Sequence, residues 1–472
     1  MRNKLSEALD HISDSHIAEA ATARKRHRPY WLGAVAAVLA VILLLNIGFL
    51  PAPVQAAIVS NASAPRIMER PDLDDYENRD TWRADLELWD GERALREEKT
   101  AEAVQTLRQF FSDSSIGYLS GTGGENRVWS PVNGYIALAM LAEVTEGQSR
   151  QQLLDALGEP DLQTLRGHVS AVWESVYTDD GHEISALATS LWLNEGLGYD
   201  QSTMDALAYH HYATVYQADL SSRRAENALQ AWLSNNTGGL LKRNASTASF
   251  PEEAVLTLAS TVYLQAKWND EFNPLKNSSG IFHAPGGTMN VTFMNKKLYQ
   301  TYYYWGESYG AVSLGLKNGT RMWFLLPDPD KTVDDVLWEG QFWEDLTVSH
   351  LEEDGKKYMK VNLSVPKFDI SSSADLQQML RELGITDIFD ERRANFSSIT
   401  ADAPVTVTAV NQAARIIVDE QGVKAASYIE IPGAGAAAPP EEIIDFILDR
   451  PFLFVLADDS GIPLFAGVVN EP

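Results

Sequence analysis

Residues 31–50, WLGAVAAVLAVILLLNIGFL, carry no charge over twenty positions. One helix of that length rises about 30 Å, the thickness of a bilayer's hydrocarbon core. Arg24, Lys25, Arg26 and Arg28 crowd its N-terminal flank, and Tyr30 and Trp31 sit where interfacial aromatics belong. Positive charge stays on the cytoplasmic side, so the run reads as a single-pass transmembrane helix or signal anchor, with 1–30 as a cytoplasmic tail and the rest extracellular. The competing reading is a signal peptide cleaved after the small-residue site VQA at 54–56, which frees Ala57 and gives a secreted chain. The long apolar run and the 30-residue lead favour the anchor, and either route exports the body. Leu5, Leu9, Ile12 and Ala20 fall near one helical face, which reads as a solvated helix before a partner or membrane surface.

Residues 51–81 are rich in Pro, Asn and Asp without a sustained period and read as a linker. From Trp82 helical periodicity returns, so 82–472 is taken as the folded body. The chain has no Cys, which excludes disulfides, thiolate chemistry and zinc–thiolate sites. Net charge is −27, and six Lys/Arg against four Asp/Glu in residues 1–30 leave −29 on the remainder. Such a body repels nucleic acid and anionic lipid, so no nucleic-acid partner is expected. Solubility alone is the simpler account of the acidity.

Helices and strands alternate in the body without a βαβ rhythm, which makes the class α+β. SRQQLLDALG opens on the capping-box pair Ser149 and Gln152 and stops at Gly158. DLQQMLRELGI spaces Leu376, Met379, Leu380 and Leu383 as a helix and ends at Gly384. Residues 254–268 read as a long, mostly buried strand, and 320–327 and 360–370 as further strands. Residues 451–469 read as two apolar strands around the turn Asp458–Gly461.

Enzyme signatures are missing: no HExxH, no GxSxG and no P-loop occur. The Gly-rich GTGGEN at 121–126 lacks a phosphate-binding fingerprint and reads as a loop. His210 and His211 are adjacent and point apart, a poor metal site. No enzyme activity, metal or cofactor is expected.

The stretch DEQGVKAASYIEIPGAGAAAPPEE, 419–442, joins two unlike halves. By period two, Val423, Ala425, Ser427 and Ile429 form a small or apolar face, and Lys424, Ala426, Tyr428 and Glu430 the other. Gly422 is a flexible joint before them. After Pro432, GAGAAAPP has almost nothing to bury, so it reads as exposed, mobile protease bait. A strand followed by a plain linker to the last hairpin accounts for the same residues.

Five ordered segments resemble the serpin family across roughly 100–472. They are NRVWSPVNGYIALAMLAEVTEGQSRQQLLDALG at 126–158, TLASTVYLQAKWNDEF at 257–272, the PKF…DL…LGI…F segment at 365–400, DEQGVKAAS at 419–427 and DRPFLFVLADDSGIPLFAGVVNEP at 449–472. The bacterial membrane-anchored type matches the N-terminal arrangement. The resemblance implies a monomeric serpin fold with three β-sheets, about eight or nine helices and a reactive-centre loop at about 420–444. It implies a serine protease inhibitor whose partner is a target serine protease held as a covalent acyl-enzyme. After the loop is attacked, the hinge (Glu420, Gly422, Val423, Ala425, Ala426, Ser427) inserts into the large sheet. Ser130, Asn133, Ser260 and Gln412 match the family's shutter, which opens to admit the hinge, with an exchanged hydrogen-bond network expected among them. Trp268 matches the aromatic under the point of insertion. Family spacing puts the reactive bond at Ala436–Ala437, with Gly435–Ala436 or Ala437–Ala438 as alternatives. A small residue there suits elastase- or subtilisin-like pockets. Tyr428 and Ile429 depart from the Ala-rich family hinge and leave a non-inhibitory binding module as the alternative.

Overall fold

The computed structural model describes residues 56–62, 71–73, 76, 78–179, 184–241, 246, 248–251, 254–340, 342–343, 355–400, 404–407, 410–423 and 442–472. The 31–50 run and the loop positions Ala425, Ala426, Ser427, Gly435, Ala436, Ala437 and Ala438 lie outside them. No described helix is long and apolar enough to cross a membrane.

A four-residue strand, β1 (Ala57–Ser60), comes first. Helix α1 (Arg79–Leu119) follows, capped by Asn78, whose side-chain oxygen accepts from the Asp80 N–H. Its charged first half is largely exposed, and Ala103, Val104, Leu107, Phe110 and Phe111 carry a buried stripe at helical spacing along the second. Then come β2 (Arg127–Trp129), α2 (Pro131–Val144), α3 (Gly147–Leu157), α4 (Leu162–Val176), β3 (Thr178–Asp179), β4 (Ile184–Asn194), α5 (Gln201–His210), β5 (Ala213–Ala218), α6 (Arg223–Asn235) and β6 (Leu256–Lys267). The second half is mostly strand: β7 (Ser278–Ala284), β8 (Gly287–Trp305), β9 (Tyr309–Gly315), β10 (Arg321–Pro327), α7 (Val333–Glu339), β11 (Lys356–Pro366), β12 (Phe368–Asp375), α8 (Gln377–Glu382), β13 (Asn411–Val418), β14 (Gly422–Val423), β15 (Ile443–Ile447), β16 (Phe452–Ala457) and β17 (Pro463–Val469).

Among the described residues these strands form three sheets beside eight α-helices. One sheet runs β1-β5-β4-β6-β14, with β3 folded back on β4. A nine-stranded sheet runs β15-β11-β8-β9-β10-β16-β17-β2, with β7 on β8, and β12 pairs β13 as the third. Helix α2 is apolar all round because it is covered all round: it packs against both β17 and β6 and buries Val132, Tyr135, Ile136, Ala139 and Met140. Gly134 is required on it, since a Cβ there would stand 2.8 Å from the Trp129 ring.

Several expectations are corrected. Within the segment read as a linker, Ala57–Ser60 pairs antiparallel with β5 and caps the sheet's edge; four residues are too few to show a period. Helix α1 begins at Arg79, before the expected start of the body. Ser149 is not an N-cap, because α3 starts at Gly147 with Glu146 at the cap. Ser149 Oγ accepts from the Asn395 N–H, and Gln152 Oε1 accepts from the N–H groups of Thr386 and Asp387, so tertiary partners outcompete the capping box. Residues 360–370 belong to two strands of different sheets, divided at Lys367. Gly158 and Gly384 do end their helices in left-handed conformations, φ +72° and +88°.

Candidate functional site

Strand β6 is paired on one side by β4 over Leu256–Gln265, from Leu193↔Leu256 to Ile184↔Gln265. On its other side, among the described residues, only β14 is bonded, with Gly422 opposite Lys267 and Val423 opposite Ala266. No ladder joins β6 to β13 among the described residues. The edge of β6 below β14 is therefore an open slot among the described residues, and β14, reached from the end of β13 through Asp419–Gln421, occupies its head. The open edge explains why β6 is mostly half-buried rather than buried as expected; only Thr261, Leu264 and Ala266 are fully covered.

The head of the slot is tightly specified. Trp268, 1% exposed, donates its indole N–H to the Asp419 carbonyl at 2.9 Å and its backbone N–H to the Gln421 carbonyl at 3.1 Å. Phe272 packs edge-on against its ring and donates its own N–H to the Glu420 carbonyl. Lys367 Nζ lies 2.5 Å from Glu420 Oε1, and Asn277 Nδ2 donates to the same oxygen at 2.6 Å. Burial pushes the Glu420 carboxyl up, and the bonds from Lys367 and Asn277 outweigh it, holding the group below its ordinary range. Gly422 has φ +153°, and a Cβ on it would meet the Ala266 carbonyl oxygen at 2.4 Å and the Lys267 Cα at 2.5 Å. Val423 is buried, 5% exposed.

Trp268→Phe keeps the aromatic packing and deletes the indole donor. It should destabilise the head by about 1 kcal/mol and speed amide exchange at Trp268 and Phe272, read by exchange mass spectrometry; unchanged exchange there would show that the indole bond holds nothing.

The expected shutter cluster is placed but not joined. Ser130 Oγ donates to the Leu464 carbonyl at 2.6 Å. Ser260 pairs through its backbone with Thr189. Among the described residues, Asn133 Oδ1 and both amide atoms of Gln412 are buried without partners, and no hydrogen bond links any two of the four. Each unmet buried polar group costs about 1–3 kcal/mol. The expected exchanged network is thus corrected: the polar side chains are present, but in this arrangement their bonds go elsewhere or unmade. Asn277, Lys367 and Phe272 were not singled out from sequence; Lys367 lies inside the PKF segment, whereas Asn277 has no local signal.

His210 and His211 do point apart. His210 faces the Tyr209 ring, and His211 Nε2 lies 3.0 Å from buried Glu143.

The family described as "Serpin (serine protease inhibitor)" matches residues 111–472, and the chain belongs to the serpin family. Wheat (Triticum aestivum) Serpin-Z1C is 27% identical over 374 residues, covering 76% of this chain and 93% of that protein. Putative serpin-Z12 of Oryza sativa subsp. japonica is 28% identical over 410 residues, covering 80% and 92%. Among solved structures, the thermophilic serpin tengpin in its native state aligns with a TM-score of 0.68 at 23% identity, over 78% of this chain and 94% of that one. The family is one of protease inhibitors rather than enzymes.

Proposed function

We propose that this chain is a suicide-substrate inhibitor of serine endopeptidases with small primary pockets, elastase- or subtilisin-like, displayed outside the cell by a 31–50 anchor and acting as a monomer. The protease's serine oxygen attacks the Ala436 carbonyl carbon, the Ala437 amine leaves with a proton, and an ester joins protease to chain. Before water cleaves that ester, the segment after Val423 fills the slot and carries the protease away.

The observation that carries this reading is the register of β14 on β6. Continued along the slot, it sets Ala425 opposite Leu264, Ser427 opposite Val262 and Ile429 opposite Ser260. Opposed residues of an antiparallel pair share a face. Leu264 and Ala266 are buried and Val262 packs on the core, so the small face of the hinge continues the core face of β6. The same register sets Tyr428 opposite Thr261, on the face where Tyr263 packs against Gly238 just beyond α6. That bulk slows insertion relative to hydrolysis.

The full-length chain in detergent, mixed with pancreatic elastase, should give a covalent complex that survives SDS, and Val423→Arg should abolish it. The peptide released on acylation should begin at Ala437 by mass spectrometry. Cleavage of the chain with elastase activity intact and no complex would instead support a non-inhibitory serpin, with Tyr428 as the first residue to replace.

A further inference from the structure

Thirteen large apolar side chains are exposed among the described residues, and Tyr299, Tyr302, Tyr358, Ile443 and Ile447 gather on β8, β11 and β15. The strand register puts four of them on one face. Tyr302 lies opposite Tyr358, their rings 5.2 Å apart, and Ile443 and Ile447 lie opposite Lys360 and Ser364. The alternate residues Val361, Leu363, Val365 and Phe446 point into the core. Tyr299 sits beside this face at the irregularity opposite Lys360. Concentrated exposed Tyr and Ile on a sheet face mark an interaction surface, since tyrosine gives contact area with little entropy to lose.

The chain's direction says what covers it. Ile443 comes six residues after Ala437, a reach of at most about 21 Å. Its strand is anchored there, because the Lys360 N–H bonds the Glu442 carbonyl and Lys357 pairs with the Glu442 carboxylate. A stable interface takes about 800 Å² per partner, roughly 30 Å across. A protease seated on any of the candidate bonds therefore overhangs this face, and does so with the side of its cleft that receives the leaving group. Resting on the proposed inhibitory reading, we infer that the β8–β11–β15 face is a docking surface for the protease outside its active site. The matching rim is apolar, because the charge on the face is mixed: Lys297, opposite Asn362, and Lys360 stand with Asp445, which lies between Ile443 and Ile447.

The test uses the full-length chain, its Tyr302→Ala/Tyr358→Ala variant and the conservative Tyr302→Phe/Tyr358→Phe variant, with melting curves to confirm folding. With active pancreatic elastase, the alanine pair should slow covalent complex formation at least tenfold. The fraction of encounters ending in complex should not change, because insertion is untouched. The phenylalanine pair should retain most of the rate. An unchanged rate in the alanine pair overturns the inference. Elastase with its active-site serine replaced by alanine separates this surface from the trapping mechanism. If the parent forms no covalent complex but binds inactive elastase at least tenfold tighter than the alanine pair does, the surface stands and the trap fails. Equal or undetectable binding overturns the surface. If the alanine pair instead turns a dimer into a monomer by sedimentation, the face serves self-association and the protease assignment is wrong.

Discussion

Gly422→Ala should convert the chain from a trap into a substrate, cutting the yield of SDS-stable elastase complex at least tenfold while loop cleavage continues. A methyl group at 422 would stand 2.4 Å from one backbone atom of β6 and 2.5 Å from another. Backbone in a paired strand cannot turn aside as a side chain does, and φ +153° is itself strained for any residue with a Cβ. The segment must therefore leave the head of the slot. The bonds from Trp268 and Phe272 to the Gln421 and Glu420 carbonyls lie next to it, so their amides should exchange faster in the variant. A wild-type yield of complex from Gly422→Ala would mean that the observed pairing of β14 is not the start of insertion. Combining Gly422→Ala with Trp268→Phe tests whether the two act on one element, since coupled changes lose less together than their separate sum.

The second large effect is on stability and its pH dependence. Glu143 lies in the last turn of α2 with its side chain 4% exposed. Arg166 of α4 grips it with two bonds, 2.5 Å and 2.9 Å, and His211, fully buried, lies 3.0 Å away on the turn between α5 and β5. Burial pushes this carboxyl up, but the bonds and charge of Arg166 and His211 prevail and bring it down to about 2 from 4.5. A carboxyl held down in the folded state adds stability that is complete above its ordinary pKa and lost as pH falls through the folded value. Glu143→Gln should therefore cost about 3 kcal/mol at pH 7, and the gap to the parent should close between about pH 5 and pH 2. Urea unfolding of both chains at pH 7, 5 and 3 reads this directly, and a gap that stays constant with pH would rule out the ion pair as its source. Tyr212, beside His211, is the one non-glycine residue with positive φ among the described residues, so the turn presenting His211 is itself under constraint.

Much of the site is local and could be read without coordinates. The small face of Val423, Ala425, Ser427 and Ile429 follows from period two alone. The matches at 126–158, 257–272 and 449–472 place Ser130, Trp268 and the terminal hairpin β16–β17, where the structure has them. Other readings failed where a distant partner overruled a local preference. Ser149 and Gln152 have the spacing of a capping box but bond residues 386–395 instead. The run 360–370 looks continuous because both its strands are apolar by alternation, yet Lys367 marks a change of sheet.

The alternation of the hinge, the glycine stops of α3 and α8 and the uncharged 31–50 run were set by sequence alone, because each depends on neighbours within about four positions. The open edge of β6, the grip of Asn277 and Lys367 on Glu420 and the crowding at Gly422 were decided only by the tertiary structure. Asn277 and Glu420 stand 143 residues apart, and no local pattern records such a pairing. At Gly422 the contact is backbone on backbone, so the sequence carries only the missing side chain, which reads equally well as a flexible joint. Which of those two a glycine is depends on what the fold brings within 3 Å of it.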